Sequence, residues 1–275
     1  MRIRYTAPML QTEFWQNLTT HDFAGLDAER VVALLPVGAI EQHGPHLPLG
    51  TDALIAEALS RAVMERVPND LLVMPTLSIG HSLEHLDYAG TLSIAAEPLL
   101  ACWLEAGRGV ARAGIRKLLI LNAHGGNTPL VQLAALRLRQ ELGLLVARGN
   151  YFAFGHPPGL FEQDELRHGF HGGEVETSLM LHLHPDLVRR ELAPTVESLA
   201  HRLGRDHRQL GVEKPMGFGW MSQDLDASGV SGDAASADAE RGATLFTHLT
   251  TCLTELIGEL QAMPWPLSGQ SVTQR

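Results

Sequence analysis

The chain has 275 residues, of which 45% are hydrophobic and 19% charged, a composition typical of a folded globular protein. Its net charge is −10 without any basic run, which argues against nucleic acid or an anionic membrane surface as a partner. Two cysteines stand beside 14 histidines, so the chain offers neither a disulfide framework nor a cysteine-rich zinc site. Histidines that bind a metal here need carboxylates as co-ligands.

The N-terminal region lacks the apolar core of a signal peptide, and no stretch approaches 18 uninterrupted apolar residues. We therefore expect a cytoplasmic protein without a membrane-spanning segment. No repeat or linker interrupts residues 1–260, which are expected to form one domain. Residues 261–275, which are rich in proline, glycine and polar side chains, are expected to be a flexible tail.

Short apolar runs alternate along the chain with amphipathic stretches. The apolar runs predict strands over residues 31–37, 71–77, 117–121 and 144–147. Apolar residues at helical spacing predict helices over residues 51–67, 97–113, 128–142, 175–184 and 236–260. Alternation of this kind forms right-handed βαβ units. We expect an α/β fold, a three-layer αβα sandwich with a mostly parallel central sheet.

The polar motifs fall where predicted strands end and helices begin. The motif GAIEQHGPHLPLGTD (38–52) follows the first strand, and NAHGGN (122–127) follows the third. In an open α/β sheet, ligands bind beyond the carboxyl ends of the strands. Both motifs are therefore expected to border one crevice.

A metal site is the chemistry that these two motifs indicate. Glu41 and His43 are two residues apart and face the same side of an extended loop, and Asp52 lies where the next helix begins. Carboxylate and imidazole groups in this combination suit a divalent metal, and His124 is interpreted as a further ligand. The competing explanation is that Asp52 only caps the helix.

A third motif, HGGEVETS (171–178), places His171, Glu174 and Glu176 around a helix start. On a helix, Glu174 and Glu176 point about 200° apart, so only one of them can face a shared site. We interpret Glu174 as the acid that points at the metal and Glu176 as lying on another face, where it orients His171. The alternative is that these acids only complement the helix dipole.

Substrate contacts are expected from three further segments: the polar loop after the second strand, the glycine-rich turn after His124 and the aromatic segment near residue 152. Glycines in such a turn let the backbone approach a ligand closely. For the polar loop, a simple surface position stays an open alternative. The residues expected to bind substrate are His85, Tyr88, Gly125, Gly126, Asn127 and Phe152.

The motifs EQHGPHLPLGTD (41–52), YAGTLSI (88–94), NAHGGN (122–127) and HGGEVETSLML (171–181) resemble, in the same order, those of the creatininase family of metal-dependent amidohydrolases. The resemblance implies an αβα fold, homo-oligomers that are often hexamers, and two divalent ions per subunit, Zn²⁺, Mn²⁺ or Fe²⁺. It also assigns roles by motif. Glu41, His43, Asp52 and His124 match metal ligands, Asp52 being the bridging one, and His171 matches the proton shuttle.

Two departures from creatininase itself bear on the substrate. Creatininase has a glutamate ligand two residues after the histidine that matches His124. This chain has Gly126 at that position, and Glu174 is taken as the replacement for the missing glutamate. The tryptophans that close the creatininase pocket match segments 151–154 and 168–170, which here hold phenylalanine, tyrosine and histidine. Creatinine is therefore not the expected substrate.

The expected reaction is hydrolysis of a C–N bond in a small, cyclic amide. A hydroxide that bridges two metal ions attacks the carbonyl, and His171 protonates the departing nitrogen. Deformylation of a formamide, trimming of a peptide and hydrolysis of another carbonyl compound are alternatives within the family. A catalytically silent metal-binding protein is the alternative from another class, whereas a serine hydrolase is disfavoured because the chain has no GxSxG motif.

Overall fold

In a computed structural model, which describes residues 10–265, the centre of the molecule is a five-stranded sheet. The strands are β1 (Glu13–Phe14), β2 (Val32–Val37), β3 (Leu71–Val73), β4 (Lys117–Asn122) and β5 (Leu145–Asn150). They lie in the order β1-β3-β2-β4-β5, and every neighbouring pair is parallel. The predicted parallel sheet is thus confirmed.

Helices cover both faces of this sheet. The helices are α1 (Thr51–Arg66), α2 (Ala96–Arg112), α3 (Thr128–Leu142), α4 (Gln163–His168), α5 (Glu174–Leu183), α6 (Leu199–Asp206), α7 (Ser222–Leu225) and α8 (Ala239–Ala262). Helices α2 and α3 pack on one face through side chains such as Trp103 and Leu138. Helices α1, α5 and α8 pack on the other, through side chains such as Leu59, Met180 and Leu253. The three-layer αβα architecture is therefore confirmed.

Strand β2 is buried along its whole length, and its side chains alternate between the two helical layers. Val32 and Leu34 pack towards α1, α5 and α8, whereas Ala33, Leu35 and Val37 pack towards α2 and α3. Burial on both faces explains why this stretch of the sequence is continuously apolar.

The boundaries of several elements differ from the predicted ones. The strand predicted over residues 71–77 ends at Val73, although Leu77 still bridges Val37. The last helix begins at Ala239 rather than at residue 236, because the Asp238 carboxylate caps it by accepting hydrogen bonds from two backbone N–H groups. That helix continues to Ala262, and residues 266–275 lie outside the described part, so the predicted tail stays a prediction.

Smaller elements that the sequence pattern did not indicate lie between α5 and α8. Strands β6 (Thr195–Val196) and β7 (Gly232–Asp233) form a two-stranded antiparallel sheet, and the short helices α6 and α7 lie between them in the chain. None of the helices within residues 10–265 combines the length and the apolar character that crossing a membrane requires.

The sheet brings two polar loops together at its carboxyl end. Val37 is opposite Asn122 in the β2–β4 register, so the loops that follow these strands start at the same level. Gly38 lies where the first turn of α1 packs on the strand end, because a Cβ there would be 2.7 Å from the backbone nitrogen of Ala53. This close approach returns Asp52 to the loop that carries Glu41.

Candidate metal centre

Four side chains converge at the carboxyl end of the sheet: Glu41, His43, Asp52 and His124, each at most 4% exposed. The Nε2 atom of His43 lies 3.2 Å from Oδ1 of Asp52. The Nδ1 atom of His124 lies 3.3 Å from Oδ2 of Asp52 and 3.3 Å from Oε1 of Glu41. The two oxygens of Asp52 therefore face two different histidines.

Several of these polar atoms are buried without a hydrogen-bond partner. Within residues 10–265, Oε2 of Glu41, Nε2 of His43 and Oδ2 of Asp52 have none. Burying such groups unpaired is costly, and divalent cations bound among the acids and histidines would satisfy them. Ligand atoms cluster within 4.8 Å in three groups: Glu41, Asp52 and His124; His43, His171 and Glu176; and Glu41, His85 and His171. The residues thus fit a divalent metal in number, chemical type and position.

Hydrogen bonds on the far side of each imidazole determine which nitrogen is free. Nδ1 of His43 lies 3.2 Å from the carbonyl oxygen of Glu41, and Nε2 of His124 lies 2.9 Å from the carbonyl oxygen of His81. Each ring donates its N–H to that carbonyl. The opposite nitrogen faces the carboxylates and, once it has lost its proton, can bind a metal.

Helix α5 supplies Glu176 to this cluster rather than Glu174. The Oε2 atom of Glu176 accepts a hydrogen bond from the backbone N–H of Gly172 at 2.6 Å and lies 4.0 Å from Nε2 of His43. Glu174 instead forms an ion pair with Arg241 of α8. The expected orientation of the two acids is therefore reversed, because a cation from a distant helix holds Glu174 away from the cluster.

Burial and mutual charge shift the protonation of the metal-free centre. Burial alone lowers the pKa of His43, but the carboxylates of Asp52, Glu176 and Glu41 outweigh it and raise that pKa to about 10. The pKa of His124 is raised well above its usual value, because the Glu41 and Asp52 carboxylates outweigh burial. Without metal, the positive charges of the protonated His43 and His124 rings thus offset the negative charges of the carboxylates.

Gln42, which lies between two of the proposed ligands, connects His85 with His171. Its Oε1 accepts from the N–H of Gly44 at 2.8 Å, which orients the amide so that Nε2 donates to Nδ1 of His85 at 2.8 Å. Its carbonyl oxygen accepts from Nε2 of His171 at 2.7 Å. Nε2 of Gln42 also lies 3.0 Å from Nε2 of His171, but the backbone carbonyl of Gln42 can only accept, so the assignment gives His171 its proton on Nε2. The second amide hydrogen of Gln42 is then free for the carbonyl oxygen of Gly229, and His85 is likewise assigned its proton on Nε2.

With these tautomers, His85 presents a hydrogen-bond donor to the Glu41 carboxylate, whereas His171 presents an acceptor. His85 directs its Nε2–H to Oε1 of Glu41 at 3.5 Å, whereas His171 directs an unprotonated Nδ1 to that oxygen at 3.8 Å. Their rings stack with centroids 4.4 Å apart. Burial, together with His43 and His85, lowers the pKa of His171 well below its usual value and keeps this ring neutral.

The residues expected to bind substrate are distributed unevenly around this centre. His85 is part of the cluster itself, while the Tyr88 hydroxyl donates to backbone carbonyls of residues 226 and 227. Phe152 is 42% exposed. A Cβ on Gly125 would meet open space, whereas one on Gly126 would lie 2.5 Å from Nε2 of His124.

Asn127, expected to contact substrate, has its side-chain amide bonded to protein groups. Its Oδ1 accepts from the N–H of His81 at 3.0 Å, and its Nδ2 donates to the carbonyl oxygen of Gly38 at 3.0 Å and to Oδ1 of Asn122 at 3.2 Å. The side chain is completely buried. Its amide is used to hold the loops after three strands together.

Sequence reasoning missed three residues at the centre: Gln42, Glu84 and Trp220. Gln42 could have been noticed as a polar residue enclosed between two ligands in a buried motif. Glu84 lies beside His85 and His124. Trp220 approaches the His85 ring edge-on with centroids 6.5 Å apart, from a segment without any motif.

Comparison with known proteins agrees with this geometry. The family model described as "Creatininase: Creatinine amidohydrolase" matches residues 16–257. The mycofactocin precursor peptide peptidase of Mycobacterium ulcerans (strain Agy99) is 34% identical over 229 residues, which cover 78% of this chain and 80% of that protein. The creatinine amidohydrolase of Pseudomonas putida is 34% identical over 200 residues, covering 66% and 75%. The solved structure "Creatininase Mn" aligns with a TM-score of 0.74 at 28% identity, covering 92% of this chain and all of that one.

The αβα fold and the cluster of histidines and carboxylates define a hydrolase that acts on C–N bonds and is built to bind a divalent metal. The chain belongs to the creatininase family, as its motifs predicted, and is an amidohydrolase of that family.

Proposed function

We propose that the protein hydrolyses the C–N bond of a small amide at a centre of two divalent metal ions. The observation that carries this proposal is the position of Asp52, whose two oxygens face His43 and His124 separately. One ion is assigned to Glu41, Asp52 and His124, and the other to His43, Asp52 and Glu176. Zn²⁺, Mn²⁺ and Fe²⁺ all suit these ligands, and solved relatives include a manganese form and a "Zn-Zn type" form.

Divalent ions in such a centre lower the pKa of a coordinated water and polarise the substrate carbonyl. The chain's own residues then move the protons. Nδ1 of His171, unprotonated and directed at Glu41, accepts a proton and passes it to the departing nitrogen. His85, whose Nε2–H faces Glu41 at 3.5 Å, is assigned the hydrogen bond to the developing oxyanion.

A cyclic amide is the first candidate substrate, and a short peptide is the second. The peptide is favoured by the relatives named mycofactocin precursor peptide peptidase, which match 78–79% of this chain, against 66% for the creatinine amidohydrolase. Replacement of the tryptophans that close the creatininase pocket also supports a substrate other than creatinine.

The test is a turnover assay on protein loaded separately with Zn²⁺, Mn²⁺ and Fe²⁺, with metal content measured on the same sample. The panel contains cyclic amides, formamides and short peptides, and product amines are detected directly. We expect hydrolysis that a chelator abolishes and the metal restores. Full metal content without hydrolysis of any amide would overturn the proposal and favour a silent metal-binding protein. Light scattering tests the expected homo-oligomer, a hexamer by family resemblance.

A further inference from the structure

Glu84 is a carboxylate at the edge of the metal centre that takes no part in the ligand groups. It lies in the 3₁₀ turn Leu83–His85, and its side chain is 19% exposed. Its Oε1 is 3.9 Å from Nε2 of His85 and 3.9 Å from Nε2 of His124, beyond hydrogen-bond distance in both cases. It belongs to none of the groups whose ligand atoms cluster within 4.8 Å in the described chain.

Neither neighbouring imidazole depends on Glu84 for its orientation. The Nε2–H of His124 already donates to the carbonyl oxygen of His81 at 2.9 Å. The Nε2–H of His85 is closer to Glu41, at 3.5 Å, than to Glu84. Within residues 10–265, no lysine or arginine forms an ion pair with Glu84. A role in holding the histidines therefore does not account for this carboxylate.

The adjacent glycine turn leaves the space that Glu84 occupies. A Cβ on Gly126 would lie 2.7 Å from Oε1 of Glu84, so any side chain there would displace the carboxylate. Around Gly125, the next residue along the turn, an added Cβ would meet open space. Glu84 thus lies next to the glycine turn, beside open space at Gly125, and borders His85 and His124, both of which contact Glu41.

In the described chain, no side chain lies within hydrogen-bond distance of the Glu84 carboxylate, which is mostly buried and has no lysine or arginine partner, so a ligand that supplies a donor there is favoured. A protonated amine is the ligand group that pairs with a single carboxylate through charge-assisted hydrogen bonds.

We propose that Glu84 binds the protonated primary amine of the substrate, so that the preferred amides carry an ammonium group near the scissile carbonyl. The proposal rests on the hydrolase function proposed above and names its substrate class. Amino-acid amides and short peptides with a free amino group belong to this class, whereas their N-acetylated counterparts do not.

The test uses two probes that cannot be hydrolysed, butylamine and butanol, which differ in charge but little in shape. Their binding to Zn²⁺-loaded protein is measured by NMR titration near pH 7, where the amine is protonated. We expect the wild-type protein to prefer butylamine by about ten- to hundred-fold, the range of one charge-assisted hydrogen bond. Glu84→Gln should abolish that preference and Glu84→Asp should retain part of it. Glu255→Gln, on the exposed face of α8, is the matched control and should behave as wild type.

Equal binding of the two probes by the wild-type protein overturns the proposal. A preference that survives in Glu84→Gln also overturns it, because the amine then binds elsewhere, for example at the metal. Loss of zinc in Glu84→Gln, with both probes weakened equally, assigns Glu84 to metal binding instead. A turnover assay separates the two proposals. If the protein prefers butylamine to butanol but hydrolyses no amide, only the hydrolase function is refuted. If the enzyme hydrolyses N-acetylated amino-acid amides faster than the same amides with a free amino group, only the role of Glu84 is refuted.

Discussion

Glu174 and Arg241 form an ion pair that joins the first turn of α5 to the first turn of α8. The Glu174 side chain is 5% exposed and that of Arg241 is 33% exposed, so the pair is only partly open to solvent. Two residues further along α5, Glu176 faces the opposite direction, towards His43. One helix start therefore serves two purposes, an inter-helix contact on one side and the metal centre on the other.

The two acids are expected to respond differently to neutralisation. Glu176→Gln should lower metal content and reduce turnover by at least a hundred-fold, because it removes a proposed ligand. Glu174→Gln should keep the metal and lower the free energy of unfolding by about 1–2 kcal/mol, since Arg241 loses its partner. Metal analysis and chemical denaturation on both variants check this. Metal loss in Glu174→Gln together with retention in Glu176→Gln would restore the assignment made from sequence.

Asp52 is expected to be required for both metal ions. Its oxygens face His43 and His124 separately, so Asp52→Ala removes one ligand from each proposed site. We expect the variant to lose both ions when measured by elemental analysis after dialysis. Asp87→Ala, an exposed acid nearby, is the control and should retain them. Retention of one full equivalent by Asp52→Ala contradicts the bridging role.

His171→Ala is expected to keep its metal and lose most of its turnover. The proposed ligand sets do not contain His171, whereas proton transfer to the departing nitrogen requires it. A substrate with a better leaving group should recover part of the lost rate, because its nitrogen needs less protonation. His207→Ala, which changes an exposed histidine, serves as the control. Loss of bound metal from His171→Ala would assign that residue to the ligands.

Gln42→Leu tests the control of the two histidine tautomers. The leucine side chain fills similar volume but cannot donate to Nδ1 of His85. We expect metal content to be retained, kcat to fall about ten- to hundred-fold and KM to change little. The ¹⁵N shifts of selectively labelled histidine should show the Nε2–H form of His85 in the wild type and a mixture in the variant. An unchanged tautomer refutes the role of Gln42.

Metal binding is expected to release protons. In the metal-free protein the pKa of His43 is raised to about 10 and that of His124 is also raised, so both rings are protonated at pH 7 and must lose their protons to bind a metal. The pKa of the proposed ligand Glu176 is raised to about 7, chiefly by burial, so it adds part of a third proton. Between two and three protons per subunit should therefore appear in calorimetry repeated in buffers of different ionisation enthalpy.

The same shifts determine how stability depends on pH. A raised histidine pKa stabilises the metal-free fold fully below the unfolded value of about 6.5, and this contribution is lost as the pH rises towards 10. The metal-bound protein has no such loss. The increase in Tm on adding metal should therefore grow between about pH 6 and about pH 8.5. A constant increase would mean that the metal does not displace these protons.

The sequence predicted the layers of the fold because its strongest signals are local. Burial on both faces makes β2 continuously apolar, and the helical periodicity of α1 and α3 extends over three or more turns. The pair β6 and β7 was not predictable, since two residues per strand carry no period and their pairing joins distant parts of the chain.

At the metal centre, too, local motifs were predictable from the sequence and contacts between distant parts of the chain were not. The convergence of Glu41, His43, Asp52 and His124 followed from two motifs at the ends of neighbouring strands. The choice between Glu174 and Glu176 depended on Arg241, which approaches only after α8 has packed on α5. Helical spacing showed that one acid had to be excluded, but the ion pair that excludes it forms only in the folded chain.

The proposed ligands come from three stretches of chain that are far apart in sequence: the loop 41–52, the turn after β4 and the first turn of α5. An ion shared by these stretches acts as a cross-link, so it limits their local opening as well as serving the reaction. Backbone amides at Gly44, Gly126 and Gly172 should therefore exchange with solvent at rates that fall together when the metal binds. Metal supply then determines how easily a protease can cut these loops.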